Sequence, residues 1–123
     1  SWNPDPNGSV NALYLSGTTL YVGGNFTIIG GQSRHHAAAV STSDGLANSW
    51  NPIMNNAVHS LAADETNVFA GGTFTSVGGE LRNHLAAIDL DNGLETSWNP
   101  NAMELESTLE EVSPMLAVNQ EIG

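Results

Sequence analysis

Residues 20–31 read LYVGGNFTIIGG, and residues 68–79 read VFAGGTFTSVGG. The two stretches lie 48 residues apart, and the same spacing governs what surrounds them. Upstream, the tetrapeptide Ser-Trp-Asn-Pro begins at residues 1, 49 and 97 and contains all three tryptophans, Trp2, Trp50 and Trp98. Downstream, Arg34 and Arg82, His36 and His84, and the pairs Gly45-Leu46 and Gly93-Leu94 keep the same register. Residues 1–48 and 49–96 match at 20 of 48 positions without a gap. A gapless period means that each copy occupies the same length of structure. Repeat architecture therefore has to be settled before any single residue is interpreted.

Each unit holds four short β candidates. In the first unit they are Val10–Leu15, Thr19–Val22 continuing through Gly23-Gly24 to Asn25–Ile29, then His36–Ser41, and Leu46–Trp50. Ser16-Gly17-Thr18 and Ser43-Asp44-Gly45 supply turn residues between them. Paired glycines inside a strand pattern imply a bulge or a close backbone approach. Pro52 removes a ladder donor and ends the fourth candidate. The second unit repeats the order as Val58–Ala63, Asn67–Val77, His84–Leu90 and Leu94–Trp98, with Asp91-Asn92-Gly93 at the hairpin.

No segment before residue 103 carries a sustained helical period, which argues against helical repeats of this length. Four short strands with a period in the forties describe one blade of a β-propeller. The expected architecture is all-β: a β-propeller fragment with two four-stranded antiparallel blades, about residues 9–52 and 57–100, packed face to face. Trp50 and Trp98 are expected at equivalent places near the ends of outer strands. A partial or degenerate third blade would follow. A β-solenoid or an irregular stack of hairpins is the plainer reading of the same residues, although solenoid coils are shorter.

Composition narrows the function. The net charge is −11, lysine is absent, and the only two cations are Arg34 and Arg82. Such a surface is a poor partner for nucleic acid, which needs phosphate neutralisation. Two arginines kept in register on an acidic chain point to a structural task, bonding loop carbonyls or a carboxylate. There is no cysteine, so disulfides, thiolate metal sites and a cysteine nucleophile are excluded. No apolar run is long enough to insert into a membrane. The chain opens on Ser1 inside a repeat motif, and we read it as a piece of a longer or processed polypeptide. Residues 103–123 carry five acids and no base, and read as an acidic tail or a degenerate third repeat.

Residues 1–102 resemble a family of secreted bacterial β-propeller repeats to which no function is assigned, distantly similar to kelch repeats. The resemblance rests on Gly23, Gly24, Phe26, Gly30, Gly31, Arg34 and Trp50-Asn51-Pro52. It rests equally on their counterparts Gly71, Gly72, Phe74, Gly78, Gly79, Arg82 and Trp98-Asn99-Pro100. It implies a secreted or cell-surface location and carries no catalytic residues across. After Ala102 the chain departs from the pattern, because Asn119-Gln120 stand where a glycine pair belongs.

Candidate chemistry is sparse. His36 and His84 share a repeat slot, whereas His35 and His59 do not recur. A metal site needs three or four converging ligands, so a polar residue bonding a neighbouring loop is the preferred reading. Asp89-Leu-Asp91-Asn92-Gly93 starts like a calcium loop but places Gly at the fifth position, and reads better as a hairpin turn. Weak Ca2+ binding by the acidic surface stays open. No nucleophile elbow or phosphate-cradling loop is present, and Glu80 and Asp64 lack the signature of paired-carboxylate work. Asn7-Gly-Ser9 and Asn25-Phe-Thr27 fit the N-glycosylation pattern.

The expectation is therefore a non-catalytic structural or binding module that presents loops to a protein or glycan partner. It has no cofactor, no metal, and no catalytic residue of its own. Further blades or other chains would cover its exposed sheet faces. One alternative is part of a propeller enzyme, a hydrolase or lyase whose active site lies in blades absent from this chain. Another is a fragment without independent activity.

Overall fold

The computed structural model describes residues 2–100. The acidic segment 103–123 lies outside the described residues. Within them the chain is all-β, with antiparallel sheets and no helix.

The first sheet is a three-stranded meander in the order β1 (Val10–Ser16), β2 (Thr19–Gly24) and β5 (Ala37–Ser41). The second repeats it with β6 (Val58–Ala63), β7 (Asn67–Gly72) and β10 (Leu85–Asp89). The registers agree residue for residue. Leu13 faces Val22 and Val22 faces Ala38 in the first sheet; Leu61 faces Ala70 and Ala70 faces Ala86 in the second. The 48-residue period of the sequence is thus a period of the structure.

The glycine pairs mark where the register slips. Val10 pairs with Gly24 and Ala12 with Gly23, leaving Asn11 as an extra residue; Val58 and Ser60 make the same shift against Gly72 and Gly71. Beyond the pair the chain leaves the sheet. The uninterrupted Asn67–Val77 strand expected from alternation is therefore two elements. β7 ends at Gly72, and Thr73, Phe74 and Thr75 lead into a small hairpin of β8 (Ser76–Val77) and β9 (Glu80–Leu81). The first unit has the same hairpin in β3 (Ile28–Ile29) and β4 (Gln32–Ser33). The reason is packing: Phe26 and Phe74 turn inward at this exit and are fully buried.

The fourth strand is also smaller than expected. Ala47 makes a single antiparallel bridge to Val40, and Glu95 makes the same bridge to Ile88. The chain then turns away, because the Trp50 amide donates to Asn48 Oδ1 (2.9 Å) instead of continuing the ladder. Leu46 stays exposed, and only Ala47 of residues 46–48 packs against the core of its own sheet. Each sheet is three strands plus one bridged segment.

The two sheets pack face to face. One continuous core contains Tyr21, Ala37 and Ala39 from the first sheet with Leu61, Val68, Ala70, Ala86 and Ile88 from the second. Small side chains on one side let the larger ones on the other come close. Two bonds stitch the edges: Asn11 Nδ2 donates to the Val58 carbonyl (3.1 Å), and Tyr14 Oη donates to the Ala63 carbonyl (3.4 Å).

Tyr21 sits in this core, where burial first and the negative charge of Asp91 second hold its phenol above the ordinary value of 10.0. A raised value means that the folded state keeps the proton longer than the unfolded chain does. The stability tied to Tyr21 is then fully present below about pH 10 and is lost as the pH climbs through the folded value. Phe69 occupies the same repeat position, so Tyr21→Phe should fold normally and lose less stability than the parent between pH 9 and pH 11, a window about the ordinary value of a free phenol. Urea unfolding at both pH values checks this; parallel losses would refute it.

Candidate functional site

The best-defined constellation is built on Trp50. Its ring meets Tyr21 of the first sheet edge-on, with centroids 5.0 Å apart and planes at 79°. Its Nε1–H donates to the Asp89 carbonyl of the second sheet at 2.9 Å. One side chain thus engages both sheets at their junction and is 3 % exposed. Sequence reading placed Trp50 at the end of an outer strand of its own unit. The structure instead seats it between units, because Asn48 turns the chain out of the first sheet.

The other two tryptophans each show half of this arrangement. Trp98 meets Phe69 edge-on at 5.6 Å and 83°, as Trp50 meets Tyr21. Trp2 donates Nε1–H to the Ser41 carbonyl at 2.9 Å, as Trp50 does to Asp89, yet its ring is 47 % exposed.

The segments after Trp2 and Trp50 each strap the next hairpin. Asn7 Oδ1 accepts from the amides of Thr27 (2.8 Å) and Ile28 (2.9 Å), while Asn7 Nδ2 donates to Thr27 Oγ1 (3.0 Å). Asn55 repeats all three bonds with Thr75 and Ser76. Sequence reasoning missed this clamp, although Asn7 and Asn55 match in the repeat and so carried the signal. The amide of Asn7 is thus engaged on both atoms. Asn25 Oδ1 likewise accepts from Ser9 Oγ (3.0 Å) and Asn11 Nδ2 (2.8 Å). Both glycosylation-pattern asparagines hold the scaffold together.

The arginines behave alike. Arg34 donates through Nη1 to the Ser33 carbonyl and through Nη2 to the Asn48 carbonyl, both at 2.7 Å. Arg82 does the same to Leu81 and Thr96, both at 2.6 Å. Each guanidinium ties its small hairpin to the bridged fourth segment of its own sheet. The acceptors are backbone carbonyls. The Nε of both arginines is buried without a hydrogen-bond partner among the described residues. Arg82→Ala should destabilise the chain by about 1–3 kcal/mol, since two carbonyls lose a charged donor. Arg82→Lys should restore less than half, because one ammonium cannot span two acceptors held by a planar fork. Chemical denaturation reads both; full rescue by lysine would show that charge alone matters.

His36 lies at a positive φ of 71°, and His84 at 69°. His36 Nδ1–H donates to the Met54 carbonyl (2.7 Å), which fixes the tautomer and ties the start of β5 to the strap of the next unit. Asp89 Oδ1 accepts from the amides of Asp91 (2.9 Å) and Asn92 (3.1 Å), so its carboxylate is occupied by a hairpin turn. Among the described residues, no group of three or more His, Cys, Asp or Glu is placed to hold a metal ion. Nor is any helix long and apolar enough to cross a membrane.

Comparison with protein-family models, with curated proteins and with solved structures finds no match.

Proposed function

We propose that the chain is a non-catalytic structural and binding module. It forms part of a β-propeller in a secreted or cell-surface protein and presents loops to a protein or glycan partner. The observation that carries this reading is the Trp50 junction, which stacks two sheets of identical register face to face. A unit that joins its own copy by a repeated contact is built for an array. Residues that make the junction and the clamps recur between units: Trp, Asn7 and Asn55, the glycine pair, Arg34 and Arg82.

The outward positions differ. Ile28, Gln32 and Ser33 on the first small hairpin become Ser76, Glu80 and Leu81 on the second, and Ile28 and Leu81 are exposed. A rigid frame with varied exposed hairpins suits recognition. The partner surface is assigned to these hairpins.

Tandem chains of residues 1–96, carrying four, six and eight units, test the architecture. Propellers close with about four to eight blades. Closed rings should be visible by electron microscopy at one length, with a jump in thermal stability there. Open rods at every length would refute the propeller. A glycan array probed with the ring-forming length, beside a Leu81→Asp variant, tests recognition. Turnover of glycoside or ester substrates by the chain would overturn the non-catalytic reading.

A further inference from the structure

The chain contains two Asn-Gly pairs, Asn7-Gly8 and Asn92-Gly93, and the structure holds them in opposite ways. Such a pair is open to ring closure, because glycine has no side chain to keep its amide nitrogen away from the preceding Cγ. Asn7 is pinned at both polar atoms of its side chain. Oδ1 accepts from the Thr27 and Ile28 amides, and Nδ2 donates to Thr27 Oγ1. Its own amide donates to the Ile28 carbonyl at 3.1 Å, and Gly8 lies so close to Phe26 that a β-carbon would meet its Cα. Turning Cγ toward the Gly8 nitrogen breaks bonds to a separate part of the chain.

Asn92 stands exposed at a hairpin tip. Its Oδ1 accepts the Leu94 amide, two residues on, at 2.8 Å, and no partner among the described residues holds Nδ2. The Leu94 amide polarises the side-chain carbonyl, as a donor aimed at a developing oxyanion does.

We propose that Asn92-Gly93 is a site of spontaneous deamidation whose product loosens the Trp50 junction. The Gly93 amide gives its proton to solvent base, and its nitrogen bonds to Asn92 Cγ. The bond from Cγ to Nδ2 breaks, and that nitrogen takes a proton from water and leaves as ammonia. Water then opens the cyclic imide at either carbonyl. One product is aspartate. The other is isoaspartate, in which the side-chain carbons join the main chain. This chemistry goes beyond the array reading above and does not depend on it.

The first unit already contains the turn of the aspartate product. Asp44 holds the slot of Asn92, and its Oδ1 accepts the Leu46 amide at 3.0 Å. Aspartate at position 92 therefore fits without a change of fold. Isoaspartate does not, because it lengthens the main chain just before Gly93. Gly93 is buried, has a φ of +74°, and lies so close to the Trp50-Asn51 segment that an added β-carbon would meet the Asn51 amide nitrogen at 2.9 Å. A longer turn presses on the segment that seats Trp50 between the sheets.

Incubation of the full 123-residue chain at mildly alkaline pH, then trypsin in urea and mass spectrometry, tests this. Cleavage after Arg34 and Arg82 puts Asn7 and Asn92 on different peptides. Fragment spectra should place the exchange of NH2 for OH at Asn92 at least about tenfold faster than at Asn7, a barrier difference of ~1.4 kcal/mol. In a chain held in urea throughout, the two rates should converge, since the clamp on Asn7 is gone. The isoaspartyl form, separated by chromatography, should unfold at lower urea than the parent, whereas Asn92→Asp should match the parent. Native Asn7 reacting as fast as native Asn92 overturns the site. So does native Asn92 staying intact while the urea sample converts. An isoaspartyl form as stable as the parent overturns the link to the junction.

Discussion

Trp50→Ala should remove about 3–5 kcal/mol of stability, the range for deleting a large buried aromatic side chain. That is a large share of the roughly 5–15 kcal/mol that holds a small protein folded. The loss has two sources. The indole leaves a cavity between Tyr21 and the second sheet, and the Asp89 carbonyl loses its donor. Trp2→Ala is the control, because the ring is half exposed and contributes mainly one hydrogen bond, worth about 1 kcal/mol. Urea unfolding of both variants separates the cases. Equal losses would mean that Trp50 does not hold the sheets together.

Gly72→Ala should be among the most damaging single-methyl changes, at about 3 kcal/mol. A β-carbon there would run into the Ala57 carbonyl oxygen, and backbone cannot step aside as a side chain tip does. The same carbonyl accepts the Thr73 amide at 3.0 Å, so displacement also breaks the bond that starts the exit from the sheet. Gly24→Ala should match it, with the Ser9 carbonyl as the obstacle. Gly17→Ala is the comparison. It has open space around it but a φ of +60°, so backbone strain of roughly 1–2 kcal/mol is the only cost. Thermal unfolding of the three variants should rank them accordingly. A Gly17→Ala loss as large as that of Gly72→Ala would show that the close approach is unimportant.

Much of this frame is legible in the residues. The 48-residue spacing, the glycine pair and the turn residues lead to two antiparallel meanders in equal register, with a bulge where the glycines fall. The pair Arg34 and Arg82 was readable too, because two cations on an acidic chain need acceptors nearby. What alternation cannot convey is where a strand leaves its sheet. Residues 67–77 alternate well enough for one strand, yet Phe74 takes a core position that only a bent path can reach. Residues 46–50 look like a strand by composition, but the Asn48 side chain competes with the ladder for the Trp50 amide. The joint itself was hidden because its acceptors, the Ser41 and Asp89 carbonyls, are backbone atoms. Any residue type supplies those, so no spacing of side chains betrays them.

The clamped guanidinium groups have a practical consequence for proteolysis. With no lysine in the chain, Arg34 and Arg82 are the only positions after which trypsin can cut. Both sit where a small hairpin is pinned to its sheet, with the side chain that the protease must seize already bound at two carbonyls. Nicking at either bond requires the hairpin to detach first. Trypsin digestion of this protein therefore acts as a clock for opening of the scaffold, with its two scissile bonds reporting separately on the two units.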